Sequence, residues 1–80
     1  MSYDPAKEIV VTVGASEGLD IALRALVGPG DEVIIPEPSF VAYKGCTTFT
    51  GATPVVIELK AEDDFKLRPE QLEKALSPRT

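Results

Sequence analysis

Several residue types are missing or scarce in this sequence. It has no histidine and no tryptophan, and its only cysteine is Cys46. A single cysteine cannot form a disulfide within the chain. The lack of histidine excludes a histidine-based catalytic pair, and we expect no metal site. Eight basic residues against thirteen acidic ones give a net charge of −5, which argues against an extended surface for nucleic acid or for anionic lipid.

Long apolar runs are missing as well. No run approaches the ~20 residues that span a bilayer, and the first residues, MSYDP, lack the basic and apolar regions of a signal peptide. A composition of 44% hydrophobic and 26% charged residues is typical of a globular protein. We therefore expect a cytoplasmic chain with one small core, since 80 residues bury only a modest share of their surface.

Three short apolar runs predict strands. The β-branched residues at 8–13 predict the first strand, and 54–59 predict the third. The second strand is predicted at 33–35, where Pro36 and Pro38 should end it because proline cannot donate to a sheet ladder.

Helical patterns fill the intervals between the predicted strands. Apolar spacing predicts a helix over 16–27, stopped by the Gly-Pro-Gly at 28–30. A second helix is predicted over 39–50 and a third from Pro69, which suits a first helical position, to residue 76. This alternation predicts an α/β fold of three layers with a mainly parallel sheet, in which ligands bind beyond the carboxyl ends of the strands.

The segment after the first predicted strand is a candidate anion site. Gly14, Ala15, Ser16 and Glu17 join that strand to a helix, where small residues would let a phosphate approach free backbone N–H groups. The alternative is a tight turn at Gly14 with Ser16 acting only as a helix cap. The segment does not satisfy the Gly-x-Gly-x-x-Gly dinucleotide fingerprint.

The segment after the second predicted strand is a stiff elbow with two prolines, PEPSF at 36–40. It would hold Phe40 in a fixed direction, and a rigid aromatic near an anion site can stack on a flat ring. Ordinary core packing is the alternative for both Phe40 and Tyr43.

Taken together, these segments resemble the class I and II aminotransferases of fold type I, which depend on pyridoxal 5'-phosphate. The resemblance rests on IVVTVGASEGL at 9–19, VGPGDEV at 27–33, PEPSF at 36–40 and GA at 51–52, in matching order and spacing. It covers nearly the whole chain, and the combination is far more specific than any one segment.

The resemblance implies roles for the candidate residues. Ala15 and Ser16 would bind the cofactor phosphate, with Gly14 and Glu17 adjoining, and Phe40 would stack on the pyridine ring. Glu17 ranks lower because a carboxylate beside a phosphate is unfavourable unless its side chain points outward.

The resemblance also implies what the 80 residues lack. The family's Schiff-base lysine, the aspartate that pairs with the ring nitrogen and two arginines would all lie beyond Thr80. We therefore expect residues 1–80 to be part of the large cofactor-binding domain, with no catalytic residue and no transaminase activity alone. The complete enzyme would move an amino group from an amino acid to a 2-oxo acid, as a homodimer. Its amino-acid substrate stays open among aromatic, branched-chain, aspartate and diaminopimelate types.

Two other functions are compatible with the sequence. The strand-turn-helix at Gly14 could belong to a separate phosphate- or nucleotide-binding module, and the chain could be a structural domain without a ligand. The structural alternative predicts that substitutions at Ser16 or Phe40 change only stability.

Overall fold

The computed structural model describes all 80 residues, which form three α-helices, two β-strands and one short 3-10 helix. The elements in chain order are α1 (Ala15–Leu26), β1 (Glu32–Glu37), α2 (Ala42–Phe49), β2 (Thr53–Glu58), the 3-10 helix (Ala61–Asp63) and α3 (Pro69–Ala75). None of the helices is long and apolar enough to cross a membrane.

The two strands form a parallel sheet, with α2 as the connection between them. Glu32 lies opposite Thr53, and the pairing continues to Glu37 opposite Glu58. Both α2 and α3 contact β2. The predicted α/β class with a parallel sheet is confirmed, and so are the three predicted helices and the last two strands, to within a few residues.

The predicted first strand at 8–13 is wrong. These residues join no sheet, and the side chains of Val10 and Val11 are 78% and 93% exposed. A strand needs a neighbour for its backbone N–H and C=O groups, and residues 9–13 make no backbone hydrogen bond with β1 or β2. The inner edge of β1 bonds β2, and on its outer edge the Glu32 N–H donates to the Arg79 carbonyl at 2.8 Å. The sheet therefore has two strands instead of three.

Pro36 does not end β1 as predicted, because it lies on the strand's outer edge. The carbonyls of Asp31 and Glu37 accept hydrogen bonds from Thr53 and Leu59 at 2.9 and 2.7 Å, so the odd-numbered residues of β1 face β2. In a parallel ladder the backbone N–H and C=O groups of the even-numbered residues then point away from the partner strand. The missing N–H of Pro36 removes no ladder bond, and β1 runs on to Glu37.

Helix α2 contains two adjacent threonines, which usually favour strands. Their hydroxyls donate to carbonyls one turn earlier, Thr47 to Tyr43 at 2.7 Å and Thr48 to Lys44 at 2.9 Å. Thr47 is the most deeply buried residue in the chain. Because these polar groups are satisfied within the helix, the segment stays helical as far as Phe49.

The core is thin. Only Ile35, Ala52 and Ile57 are buried apolar residues, and many large apolar side chains are exposed. The radius of gyration is 14.6 Å, whereas a compact chain of this length would have about 12 Å. The 80 residues therefore leave apolar surface uncovered, and self-association is expected at high concentration.

Gly51 is expected to be intolerant of substitution. Its φ is +84°, and a Cβ there would lie 2.9 Å from Pro29 Cγ. Gly51→Ala should therefore lower the free energy of unfolding by about 2 kcal/mol. Gly45 is an interior residue of α2, and no atom lies within 4 Å of the position that a Cβ would take there. The control Gly45→Ala should therefore raise the free energy of unfolding by about 0.5–1 kcal/mol. Urea unfolding followed by circular dichroism measures both, and equal changes in the two variants would contradict the prediction.

Candidate functional site

The turn into α1 is shaped by Gly14 and Thr12. Gly14 has φ 84° and precedes the first helical residue, a conformation that disfavours other residues. Its carbonyl accepts the Thr12 hydroxyl at 2.7 Å and the Gly18 N–H at 3.3 Å. These two bonds fix the direction in which α1 begins.

The start of α1 carries backbone donors without acceptors. The N–H groups of Ala15, Ser16 and Glu17 donate to no other group of the chain, because they belong to the first turn of the helix. No side chain caps this end, and Ser16 lies inside the helix with its hydroxyl unbonded. Ser16 therefore does not cap α1, whereas the tight turn of that alternative is present at Gly14, whose φ is 84°.

This end of α1 is open to solvent. Gly14, Ala15, Ser16 and Glu17 are all exposed, and no atom lies within 4 Å of the position where a Gly14 Cβ would be. Three adjacent amide donors at the positive end of a twelve-residue helix suit an anion. The Glu17 carboxylate opposes that preference, since it adds a negative charge in the first turn.

Phe40 lies between the end of β1 and the start of α2. Within residues 1–80 it is 52% exposed, and Tyr43 is 41% exposed. The two rings contact each other with their planes at 88° and their centroids 5.6 Å apart. Neither residue is packed in the core that these 80 residues form.

A cavity of about 420 Å³ lies between α1, β1 and α2, and neither residues 14–17 nor Phe40 line it. Leu19, one turn into α1, lines it together with Pro38, Ser39 and Tyr43 from the segment that follows β1. Leu59, which follows β2, lies at the same edge. Residues 33–36 of β1 line the cavity as well, so it runs along β1 and reaches the segments that follow the two strands. Ligands in parallel sheets bind beyond those strand ends.

The charge around this cavity is low. Its lining contains no Lys, Arg, Asp or Glu. Lys44 directly follows the lining residue Tyr43 in sequence. Its Nζ lies 3.9 Å from Oε1 of the Glu37 carboxylate. No group of three or more His, Cys, Asp and Glu side chains is placed to hold a metal ion. The polar side chains in the cavity lining are the hydroxyl groups of Ser39, Tyr43 and Thr47.

Two residues that shape the site were missed by the sequence reasoning. One is Thr12, whose hydroxyl bonds the Gly14 carbonyl. The other is Gly18, where a Cβ would lie 3.2 Å from the Thr12 hydroxyl oxygen. A glycine in the first turns of a predicted helix was the available signal, because glycine there costs helix stability unless close packing requires it.

Comparison with known proteins identifies the class to which this fold and site belong. The sequence model of the family "Aminotransferase class I and II" matches residues 1–80. The chain belongs to this family.

Individual relatives agree with that assignment. The Bacillus subtilis protein YugH, whose name places it among the aminotransferases, is 49% identical over 80 residues, which are 100% of this chain and 21% of that protein. The aspartate aminotransferase of Geobacillus stearothermophilus is 42% identical over 80 residues, 100% of this chain and 20% of its own length.

The solved structures agree as well. The N-succinyldiaminopimelate aminotransferase of Mycobacterium tuberculosis superimposes with a TM-score of 0.91 and 38% identity, over 100% of this chain and 21% of that one. The 80 residues thus span about a fifth of the relatives that they match.

Proposed function

We propose that residues 1–80 are part of the cofactor-binding large domain of a pyridoxal-phosphate-dependent aminotransferase. Within it, Ala15 and Ser16 would hold the cofactor phosphate, with Gly14 and Glu17 adjoining, and Phe40 would stack on the pyridine ring. The single observation that carries the proposal is the set of three backbone N–H groups at the start of α1, those of Ala15, Ser16 and Glu17, which have no acceptor in the chain.

The residues present fit this cofactor. A phosphate needs several donors at one point, and the amides of Ala15, Ser16 and Glu17 have no other acceptor. The Ser16 hydroxyl is an additional exposed donor. A flat ring needs an accessible aromatic face, and Phe40 is half exposed in the segment that follows β1.

When bound, pyridoxal phosphate supplies the ring that withdraws electrons from the amino acid during amino-group transfer. The residues of this chain would anchor the phosphate, fix the tilt of the ring and keep water from one of its faces. Family membership supports amino acids and 2-oxo acids as substrates. We also propose a homodimeric, cytoplasmic enzyme.

A chimera tests the proposal. The matching fifth of the Geobacillus stearothermophilus aspartate aminotransferase is replaced by residues 1–80, and cofactor uptake and aspartate transamination are measured. We expect the chimera to take up pyridoxal phosphate and to transaminate. A chimera with the size and secondary structure of the unmodified enzyme but no cofactor would contradict the proposal.

Glu17→Gln is expected to strengthen pyridoxal phosphate binding. It removes a negative charge from the first turn of α1 and leaves the Glu17 amide in place. Charges at this position are worth about 0.3–1 kcal/mol at low salt, so the affinity should rise about two- to fivefold. Titration at low and high salt measures the effect, which should shrink as salt screens the charge.

Glu62→Gln is the control, because it changes the net charge equally but lies in the exposed 3-10 helix. Equal gains in affinity from Glu17→Gln and Glu62→Gln would show that the phosphate does not bind at the start of α1.

A further inference from the structure

The aromatic rings of Phe40 and Tyr43 contact each other. The Phe40 and Tyr43 rings are perpendicular within 2°, with their centroids 5.6 Å apart and their planes at 88°. Edge-to-face geometry at this distance is a favoured arrangement of aromatic pairs. The planes are perpendicular, so Tyr43 covers at most one face of Phe40. Tyr43 therefore leaves at least one face of Phe40 uncovered, and Phe40 as a whole is 52% exposed.

Phe40 needs such a support because little else holds it. It precedes α2, is 52% exposed and does not line the apolar cavity. An exposed phenylalanine on a loop samples several rotamers unless a neighbour restricts it.

Tyr43 is well placed to provide the support. Its backbone N–H donates to the Phe40 carbonyl at 3.1 Å, and its own carbonyl accepts the hydroxyl of buried Thr47 at 2.7 Å. Its side chain lines the apolar cavity. Tyr43 is thus tied to the body of α2, whereas Phe40 is tied mainly to Tyr43.

We propose that Tyr43 is a positioning residue, whose ring holds the Phe40 ring so that an open face of Phe40 is presented to the pyridine ring of pyridoxal phosphate. The inference rests on the proposed function. It depends on the aromatic ring of Tyr43 and not on its hydroxyl, for which the structure shows no hydrogen bond. Tyr43→Phe should therefore preserve the role, and Tyr43→Leu should remove it.

The test uses the 80-residue chain with ¹³C-labelled phenylalanine rings. The Phe40 ring signals and the contacts between rings 40 and 43 are recorded by NMR without cofactor, and the dissociation constant for pyridoxal phosphate is then measured by titration. In Tyr43→Leu we expect the Phe40 signals to move toward free-phenylalanine positions and the affinity to fall about threefold. Tyr43→Phe should retain both, and Tyr3→Leu, which removes a tyrosine in the exposed start of the chain, should change neither.

Two results would overturn the proposal. One is an unchanged set of Phe40 signals in Tyr43→Leu, which would mean that Tyr43 does not hold the ring. The other is a displaced Phe40 with unchanged affinity, which would mean that the orientation does not serve the cofactor. If Tyr43→Leu loses its dispersed spectrum, Tyr43→Met takes its place, since it fills the cavity without a planar edge.

The experiment measures cofactor binding and the orientation of the Phe40 ring independently, so failure of the proposed function can be told apart from failure of the Tyr43 proposal. If the unsubstituted chain does not bind pyridoxal phosphate, the affinities are compared in the chimera, and absence of binding there would remove the cofactor role of both residues. The ring signals recorded without cofactor would still decide whether Tyr43 orients Phe40.

Discussion

Phe40→Ala is expected to weaken the binding of pyridoxal phosphate about tenfold, because stacking on an aromatic ring is worth roughly 1–1.5 kcal/mol. Phe40 is half exposed and lies outside the core, so the variant should keep its free energy of unfolding within about 0.5 kcal/mol. Titration followed by NMR gives the affinity, and urea unfolding gives the stability.

The matched control for this variant is Phe49→Ala. Phe49 is also an exposed phenylalanine, but it lies at the opposite end of α2, and its loss should leave the affinity unchanged. Phe40→Trp keeps a flat ring and should retain most of the binding. Normal affinity in Phe40→Ala would refute the stacking role. An equal loss of affinity in Phe40→Ala and Phe49→Ala would mean that the pyridine ring does not stack specifically on Phe40.

Ile35→Ala is expected to remove a large part of the free energy of unfolding of the chain. Ile35 is 3% exposed and lies in the centre of β1. Removal of a buried isoleucine costs about 2–5 kcal/mol, which is comparable to the total stability of roughly 4–12 kcal/mol for a chain of this length. The core contains only three buried apolar residues. Few side chains can therefore move into the space that the removed Ile35 side chain leaves.

The control for Ile35→Ala is the same substitution at Ile21, which is exposed on α1. There the free energy of unfolding should change by no more than about 0.5 kcal/mol. Circular dichroism during urea titration measures both variants. A native-like spectrum and an unchanged midpoint for Ile35→Ala would mean that β1 is not the centre of the core.

The sequence predicted those elements whose causes are local. Helix α1 has apolar residues at helical spacing and an Asp20–Arg24 ion pair at 2.9 Å. Helix α3 begins at Pro69, a favoured first position. Each of these signals lies within one or two turns of the residues that it orders, so no knowledge of the remaining chain was needed.

Errors arose where the structure depends on distant partners. The run at 8–13 has the composition of a strand, but composition cannot show that no neighbouring strand is available to it. Pro36 appeared to be a strand end because the sequence does not reveal which edge of β1 pairs with β2. Pairing of this kind is a long-range property and is not encoded in a short window.

In the candidate site, too, the features with local causes were predicted and those that depend on three-dimensional contacts were not. Gly14 and Ser16 were found because a strand-to-helix turn of small residues is a local pattern. The Thr12 hydroxyl bond to Gly14 and the edge contact between Tyr43 and Phe40 needed coordinates, since they depend on side-chain directions. The resemblance to aminotransferases supplied the roles of Ala15, Glu17 and Phe40, which remain predictions.

The central claim is that the start of α1 binds the phosphate of pyridoxal phosphate while Phe40 meets its ring. The most direct test is the amide NMR spectrum of the 80-residue chain, titrated with pyridoxal phosphate, pyridoxal and inorganic phosphate in separate samples. Borohydride reduction and mass spectrometry detect any adduct on surface lysines.

Pyridoxal phosphate should shift the signals of residues 14–17 and those near Phe40. Inorganic phosphate should shift only the first group, and pyridoxal only the second. A dispersed spectrum in which pyridoxal phosphate leaves residues 14–17 unmoved would contradict the account.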